Sequence, residues 1–209
     1  MKAVALVLAL AACSGKLPDT RYYQLAAPES GKRDAVADLT LVLEPLATEA
    51  AYDDERIVYR TTPYRLDYYQ YHRWSAAPGV MIGNFLETAL EKSGRFRNVV
   101  RELGNGDAAP VVLGGRVVAI EEVDRSPRAW YGRLAIELTL TDARTGATLW
   151  SEQFDETEAM ATQTPEGLAR ALSIAMTRIS RRAAPTIADL AERQARVHAE
   201  QNNVARGAK

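Results

Sequence analysis

Cysteine is almost absent from the chain, with one residue in 209. A single thiol makes no internal disulfide and no cysteine zinc cluster. Histidine is nearly as scarce: His72 and His198 are the two in the sequence. No His-Glu-x-x-His run accompanies them, so zinc hydrolysis has no support. Long apolar runs are missing as well. Mean hydropathy is −0.23, and the one unusually apolar stretch, residues 1–12, is too short to cross ~30 Å of hydrocarbon as a helix. Charge of one sign is not in excess either, since 26 basic residues face 27 acidic ones. That balance gives no net basic face for phosphate, and no nucleic-acid partner is expected. The 13 glycines and 9 prolines are scattered, which excludes collagen-like and low-complexity classes.

What the sequence does contain begins at its first residues. Met1-Lys2 is a short basic start, Ala3 to Leu10 is unbroken and apolar, and Leu10-Ala11-Ala12-Cys13 follows. A charged region, an apolar core and small residues at a cut site are the parts of an export signal. Leu-Ala-Ala-Cys has the form of a bacterial lipobox, in which cleavage falls between Ala12 and Cys13 and the thiol then carries diacylglycerol. The competing reading is an apolar terminal element that ends in a chance cysteine. Acylation contributes ~0.8 kcal/mol per buried CH₂, and two or more chains anchor stably. Residues 1–12 are therefore read as a signal and 13–20 as a lipidated tether.

Tyr22-Tyr23-Gln24-Leu25 is a candidate edge strand beyond the tether. Leu39 to Leu43 reads as a buried strand stopped by Pro45, residues 48–54 read as loop, and Arg56–Arg60 and Arg65–Trp74 read as a hairpin turning at Thr62-Pro63. Pro78 opens a helix to about Lys92, closed by Ser93-Gly94. After a short strand at Val99-Val100, three strands are expected at 111–123, 130–141 and 147–154. In the middle one Leu134, Ile136, Leu138 and Leu140 alternate with smaller or polar residues, so one face is buried. A second amphipathic helix starts at Thr164-Pro165 and is expected to end at Arg181-Arg182, ahead of Pro185. The expected fold is α+β: a mixed, largely antiparallel sheet packed by two amphipathic helices over residues 21–183. Residues 184–209 are expected to form a basic helical or disordered tail.

Catalytic constellations are thin. A nucleophile triad could use only His72, and no Gly-x-Ser-x-Gly elbow accompanies it. Gly104-Asn105-Gly106-Asp107-Ala108-Ala109 fits a dinucleotide-loop pattern, but Pro110 and a strand follow where a helix N-terminus is needed. Asp53-Asp54 and Glu121-Glu122 are adjacent carboxylates, which on a strand point to opposite faces. Both pairs are read as solvated surface. No cofactor and no metal are expected. Tyr52, Tyr59, Tyr64, Tyr68, Tyr69 and Tyr71 crowd together with Trp74. Such residues suit protein interfaces and headgroup layers as well as strand packing; Tyr68, Tyr69 and Trp74 are the expected interface residues. From Arg170 onward basic residues outnumber acidic ones, which fits either an anionic lipid surface or a merely solvated helix.

The order of these features resembles the ABC-type transport auxiliary lipoproteins. A lipobox, Tyr22-Tyr23-Gln24-Leu25, a strand ending in Glu44-Pro45-Leu46, Arg56-Ile57-Val58-Tyr59-Arg60, an aromatic run to Trp74-Ser75-Ala76-Ala77-Pro78 and an amphipathic helix carry the likeness. It covers most of residues 13–183 and lies in the order rather than in any one motif. The resemblance implies a periplasm-facing α+β domain held to a membrane by lipid at Cys13. It implies a non-enzymatic accessory of an ABC permease/ATPase and MCE-domain assembly that moves lipids or other hydrophobic compounds, with a homo-oligomeric ring as an allowed arrangement. Ser14 behind the lipidated Cys resembles outer-membrane sorting. Two other classes remain open from the residues: a structural lipoprotein of a secretion or lipopolysaccharide export complex, and a periplasmic hydrolase dependent on His72.

Overall fold

A computed structural model describes residues 18–27, 39–104 and 108–207. Its spine is β7 (Val111–Ser126), a sixteen-residue strand that pairs on one side with β8 (Ala129–Asp142), which in turn pairs with β9 (Thr148–Ala159). These two ladders are antiparallel and nearly continuous. The other side of β7 is shared among short partners. Its first part takes β2 (Thr40–Leu43), flanked by β6 (Asn98–Val100), its middle takes β3 (Ala47–Thr48), and its last part takes β4 (Arg56–Thr62). All of these pair in parallel. β4 continues into an antiparallel hairpin with β5 (Arg65–Trp74), and β1 (Arg21–Tyr23) closes that edge parallel to β5. The mixed sheet matches the expected class: the long ladders are antiparallel and the short ones parallel.

Helix α1 runs Pro78–Lys92, with Pro in its first turn and Lys92 in its last. Gly94, at φ 73°, follows its C-cap Ser93, and Ser93 N–H bonds the Ala89 carbonyl. A left-handed residue just past a helix end closes the last carbonyls at no steric cost when it is glycine. Gly79 approaches β3 so closely that a Cβ there would meet the Leu46 carbonyl oxygen at 2.3 Å. Helix α2 runs Pro165–Gly207. Thr164 caps it, its hydroxyl accepting the Gly167 N–H at 3.1 Å. Both helices pack on β7 and on each other, so they share one face of the sheet.

On that face Leu134, Ile136, Leu138 and Leu140 meet Leu168, Leu172, Ala175, Met176 and Ile179, all fully buried. Burying a side chain of this size contributes about 1.5–3 kcal/mol, so the strand's alternation and the helix's stripe together specify how the layers dock. Gly132 is where α2 comes closest: a Cβ there would lie 3.2 Å from Leu168, Ala171 and Leu172.

Two expectations need correction. The helix does not end at Arg181-Arg182; it continues through Pro185, and Ile187, Ala188 and Ala191 are buried in the core. Pro185 and Arg181 are both exposed. The carbonyl that Pro185 leaves without an N–H partner therefore faces water, which is where a proline is least costly inside a helix. The continuation is held down by Asp142, which accepts hydrogen bonds from Gln194 and at 2.9 Å from His198, and by Arg95, which pairs with Asp189 and Glu192. The second correction is confined to Thr48: of residues 48–54, read as loop, it alone joins a strand, forming with Ala47 a two-residue parallel bridge to Arg116 and Val117, while 49–54 are loop as expected.

Candidate functional site

Glu121 and Glu122 are both fully buried, which overturns their reading as solvated surface. They do diverge to opposite faces, as adjacent strand residues should, and their partners are disjoint. Glu121 lies on the face away from the helices. Its carboxylate accepts from Tyr52 Oη at 2.7 Å, Arg60 Nε at 3.0 Å and Arg133 Nη1 at 3.0 Å. Arg133 also grips Asp155, and farther along the same face Arg116 bridges Glu49 and Glu137. Burial and the neighbouring Glu121 carboxylate push the Tyr52 hydroxyl up to about 12. Two guanidiniums and a phenol satisfy the buried charge, which is the condition under which such a group is tolerated.

Glu122 faces the helix side and is less well served. Tyr69 Oη donates to its Oε1 at 2.9 Å, while Glu122 Oε2 and Asp124 Oδ1, two residues on, have no hydrogen-bond partner among the described residues. Burial, reinforced by the negative charge of Asp124, pushes the Glu122 carboxyl up to about 7, and burial raises Asp124 as well. Around this pair sits an aromatic cluster. The Tyr69 ring meets Tyr59 at 5.2 Å and His72 at 5.6 Å, and Tyr23 Oη lies 2.9 Å from His72 Nδ1. The cluster joins β1, β5, β4 and β7, so the edge strand is tied to the spine by polar contacts.

Beyond Tyr23 the chain crosses α2, where the Ala26 N–H bonds Ser173 Oγ at 3.0 Å. A shallow cleft of about 410 Å³ lies there, floored by Ala26, Ala169 and Ile174 and rimmed by Gln24, Glu166 and Arg170. Ser173 Oγ donates to the Ala169 carbonyl of its own helix at 2.6 Å. That serine is spent on backbone bonding. The arrangement can hold an apolar group; it presents no paired nucleophile and base.

The residues expected to form an interface separate. Trp74 is 1% exposed and belongs to the core, so it cannot meet a partner from the surface. Tyr69 is half-buried against Glu122. Tyr68 is exposed, its hydroxyl bonding the Ala51 carbonyl at 3.2 Å and its ring lying under the Arg56 guanidinium. Tyr64, named in the aromatic run but not among the three expected interface residues, is 97% exposed at the β4–β5 tip; its place in the two-residue turn was the available signal. Asp53 is exposed, and Asp54 accepts the Arg56 N–H and guanidinium, as a surface pair should. Ala12, Cys13 and part of the Gly104–Ala109 turn lie outside the described residues.

Fold and site together describe an α+β module in which the buried carboxylates Glu121 and Glu122 tie β7 to neighbouring strands. The family model for the ABC-type transport auxiliary lipoprotein component matches residues 23–184, which is most of the chain, and the protein belongs to that family. Among solved structures, a Xanthomonas campestris protein of the DUF330 family shares 15% identity, with a TM-score of 0.69 over 86% of this chain and 99% of its own. An uncharacterized protein, also 15% identical, reaches 0.66 over 81% of this chain and 99% of its own. The PelC dodecamer from Paraburkholderia phytofirmans is a looser likeness, 16% identical with a TM-score of 0.48 over 76% of this chain and 95% of its own. None of the curated proteins compared with the chain matches it. At such identities the solved structures show a shared fold, and it is the family match that makes this a transport-associated lipoprotein.

Proposed function

We propose that the chain is cleaved between Ala12 and Cys13, acylated on the Cys13 thiol, and held on the periplasmic side of the outer membrane. There it serves, without catalysis, as the auxiliary component of an ABC/MCE-type system that carries lipids or other hydrophobic compounds between membranes. The family match over residues 23–184 carries this reading, because it spans the sheet from Tyr23 onward, α1 and the N-terminal part of α2. The site chemistry agrees with it: His72 is bonded to the phenol of Tyr23, and Ser173 to backbone, so both are spent on holding the fold together. A binding role asks only for a rigid body with a presented surface. Tyr68, exposed beside Arg56 on β5, is the contact residue of the three expected ones. A homo-oligomeric ring belongs to the same proposal, and the mass of the detergent-extracted protein tests it.

The functional test is co-purification of the tagged chain in mild detergent after crosslinking in cells. Recovery of an MCE-domain protein with its permease and ATPase is the expected result. Recovery of an outer-membrane secretion or lipopolysaccharide-export barrel instead would overturn the transport assignment.

A further inference from the structure

The register of β1 sets the end of the sheet from which the chain leaves toward Cys13, so this inference rests on the acylation proposed above. β1 runs parallel to β5, with Arg21 opposite His72 and Tyr23 opposite Trp74. Going backward from Arg21 the chain therefore heads toward the start of β5, which is the tip of the β4–β5 hairpin. Fully extended at about 3.3 Å per residue, the stretch from Cys13 to Arg21 reaches about 26 Å, against about 23 Å from His72 to Arg65. The tether is long enough to bring the acylated residue level with that tip.

Other parts of the chain converge on the same end. β4 and β7 are parallel, Arg60 facing Val123, so the β7–β8 turn lies beside the hairpin tip. Tyr131 pairs with Ala159, which brings the end of β9 there, and Gln163 Nε2 bonds the Pro127 carbonyl, fixing the N-terminus of α2 beside that turn. This end presents Thr61 to Arg65 and Arg125 to Arg128, all exposed, with Tyr64 at 97%. The nearby acids are accounted for: Asp67 pairs with Arg65, Glu166 with Arg170 and Glu158 with Arg178, and Asp124 sits inward beside Glu122. Among the described residues no carboxylate pairs with Arg125 or Arg128; Arg125 stacks on Tyr131. The first turn of α2 adds the positive end of a helix dipole.

We infer that this end is a membrane-contact surface: Tyr64 enters the headgroup layer, and Arg125 and Arg128 meet the phosphates of a phospholipid bilayer. A tyrosine with a wet hydroxyl and an apolar ring is suited to that layer. Near-surface arginines are drawn to anionic lipid strongly enough to change occupancy about fivefold each. The face that docks other proteins is then the rest of the molecule, away from this end.

The test uses the full acylated chain in vesicles of phosphatidylethanolamine and phosphatidylglycerol, with a spin label on Tyr64→Cys or on Ala143→Cys. The acylated Cys13 does not react with the label, and Ala143 is exposed in the β8–β9 turn at the opposite end. Expected is a severalfold loss of access to a water-soluble nickel relaxant at position 64 on going from detergent to vesicles, with position 143 unchanged. Adding Arg125→Glu and Arg128→Glu should restore much of that access at position 64. A chain that floats with the vesicles while both labels stay equally accessible overturns the membrane-contact surface and leaves the anchor standing. A chain that does not float overturns both.

Discussion

Replacing Glu122 by Gln should make the protein more stable at pH 8 and leave it nearly unchanged at pH 5. The wild-type carboxyl is buried, two residues from Asp124, and its pKa is pushed from 4.5 to about 7. Below pH 4.5 it is protonated whether the chain is folded or not. Between there and about pH 7 the folded state keeps a proton that the unfolded state has released. Stability therefore falls as pH rises across this window and levels off above it. Each pKa unit is worth about 1.4 kcal/mol, so the loss between pH 5 and pH 8 is roughly 2–3 kcal/mol. Gln removes the titration. Its carbonyl oxygen still accepts from Tyr69, and its amide can donate to the unpartnered Asp124 Oδ1. Urea melts followed by circular dichroism at pH 5, 6, 7 and 8 measure the difference between the two proteins. A gain of roughly 4–12 °C in the thermal midpoint at pH 8 should accompany it. A difference that is the same at pH 5 and pH 8 would refute the reasoning, because it would mean that packing and not charge carries the effect.

Asp142→Ala should free the second half of α2, since the carboxylate holds the Arg144 and Thr145 N–H groups together with Gln194 and His198. Faster amide exchange over residues 187–204, with α1 unaffected, is the expected readout. Those bonds to its charged form hold the Asp142 carboxyl well below the usual range, so the same loosening should appear in the wild type as pH falls through the acid range below about 4. Trp74→Ala removes a ring that is 1% exposed and should cost about 3–5 kcal/mol in urea unfolding. Tyr68→Ala should cost about 1 kcal/mol or less and instead weaken recovery of the transport complex. Pro185→Ala should raise stability by up to about 3 kcal/mol, checked by the same urea midpoint.

The elements legible in the sequence were those whose signal is local. Pro78 and Gly94 bound α1 by cap chemistry alone, and the alternation from Leu134 to Leu140 marked the buried face of β8 because its period is that of a strand. What stayed hidden depends on distant partners. The β3 bridge is two residues held by Arg116 and Val117, too short for any periodicity. The run of α2 past Pro185 follows from Ile187, Ala188 and Ala191 meeting the core, which outweighs the proline rule at an exposed position. Glu121 and Glu122 read as surface carboxylates because the groups that bury and bind them, Tyr52, Arg60, Tyr69 and Arg133, come from three other strands and a loop. Trp74 was placed at an interface for its aromatic character, and the same character put it in the core.

The proposed transport role and the membrane-facing end both rest on the proposed acylation of Cys13, and an intact mass of the chain extracted from membranes tests it. The expected species begins at Cys13, lacks residues 1–12 and carries diacylglycerol plus an amide-linked acyl chain; Cys13→Ser yields none of it. An unmodified chain still beginning at Met1, recovered from the soluble fraction, would contradict the anchored reading.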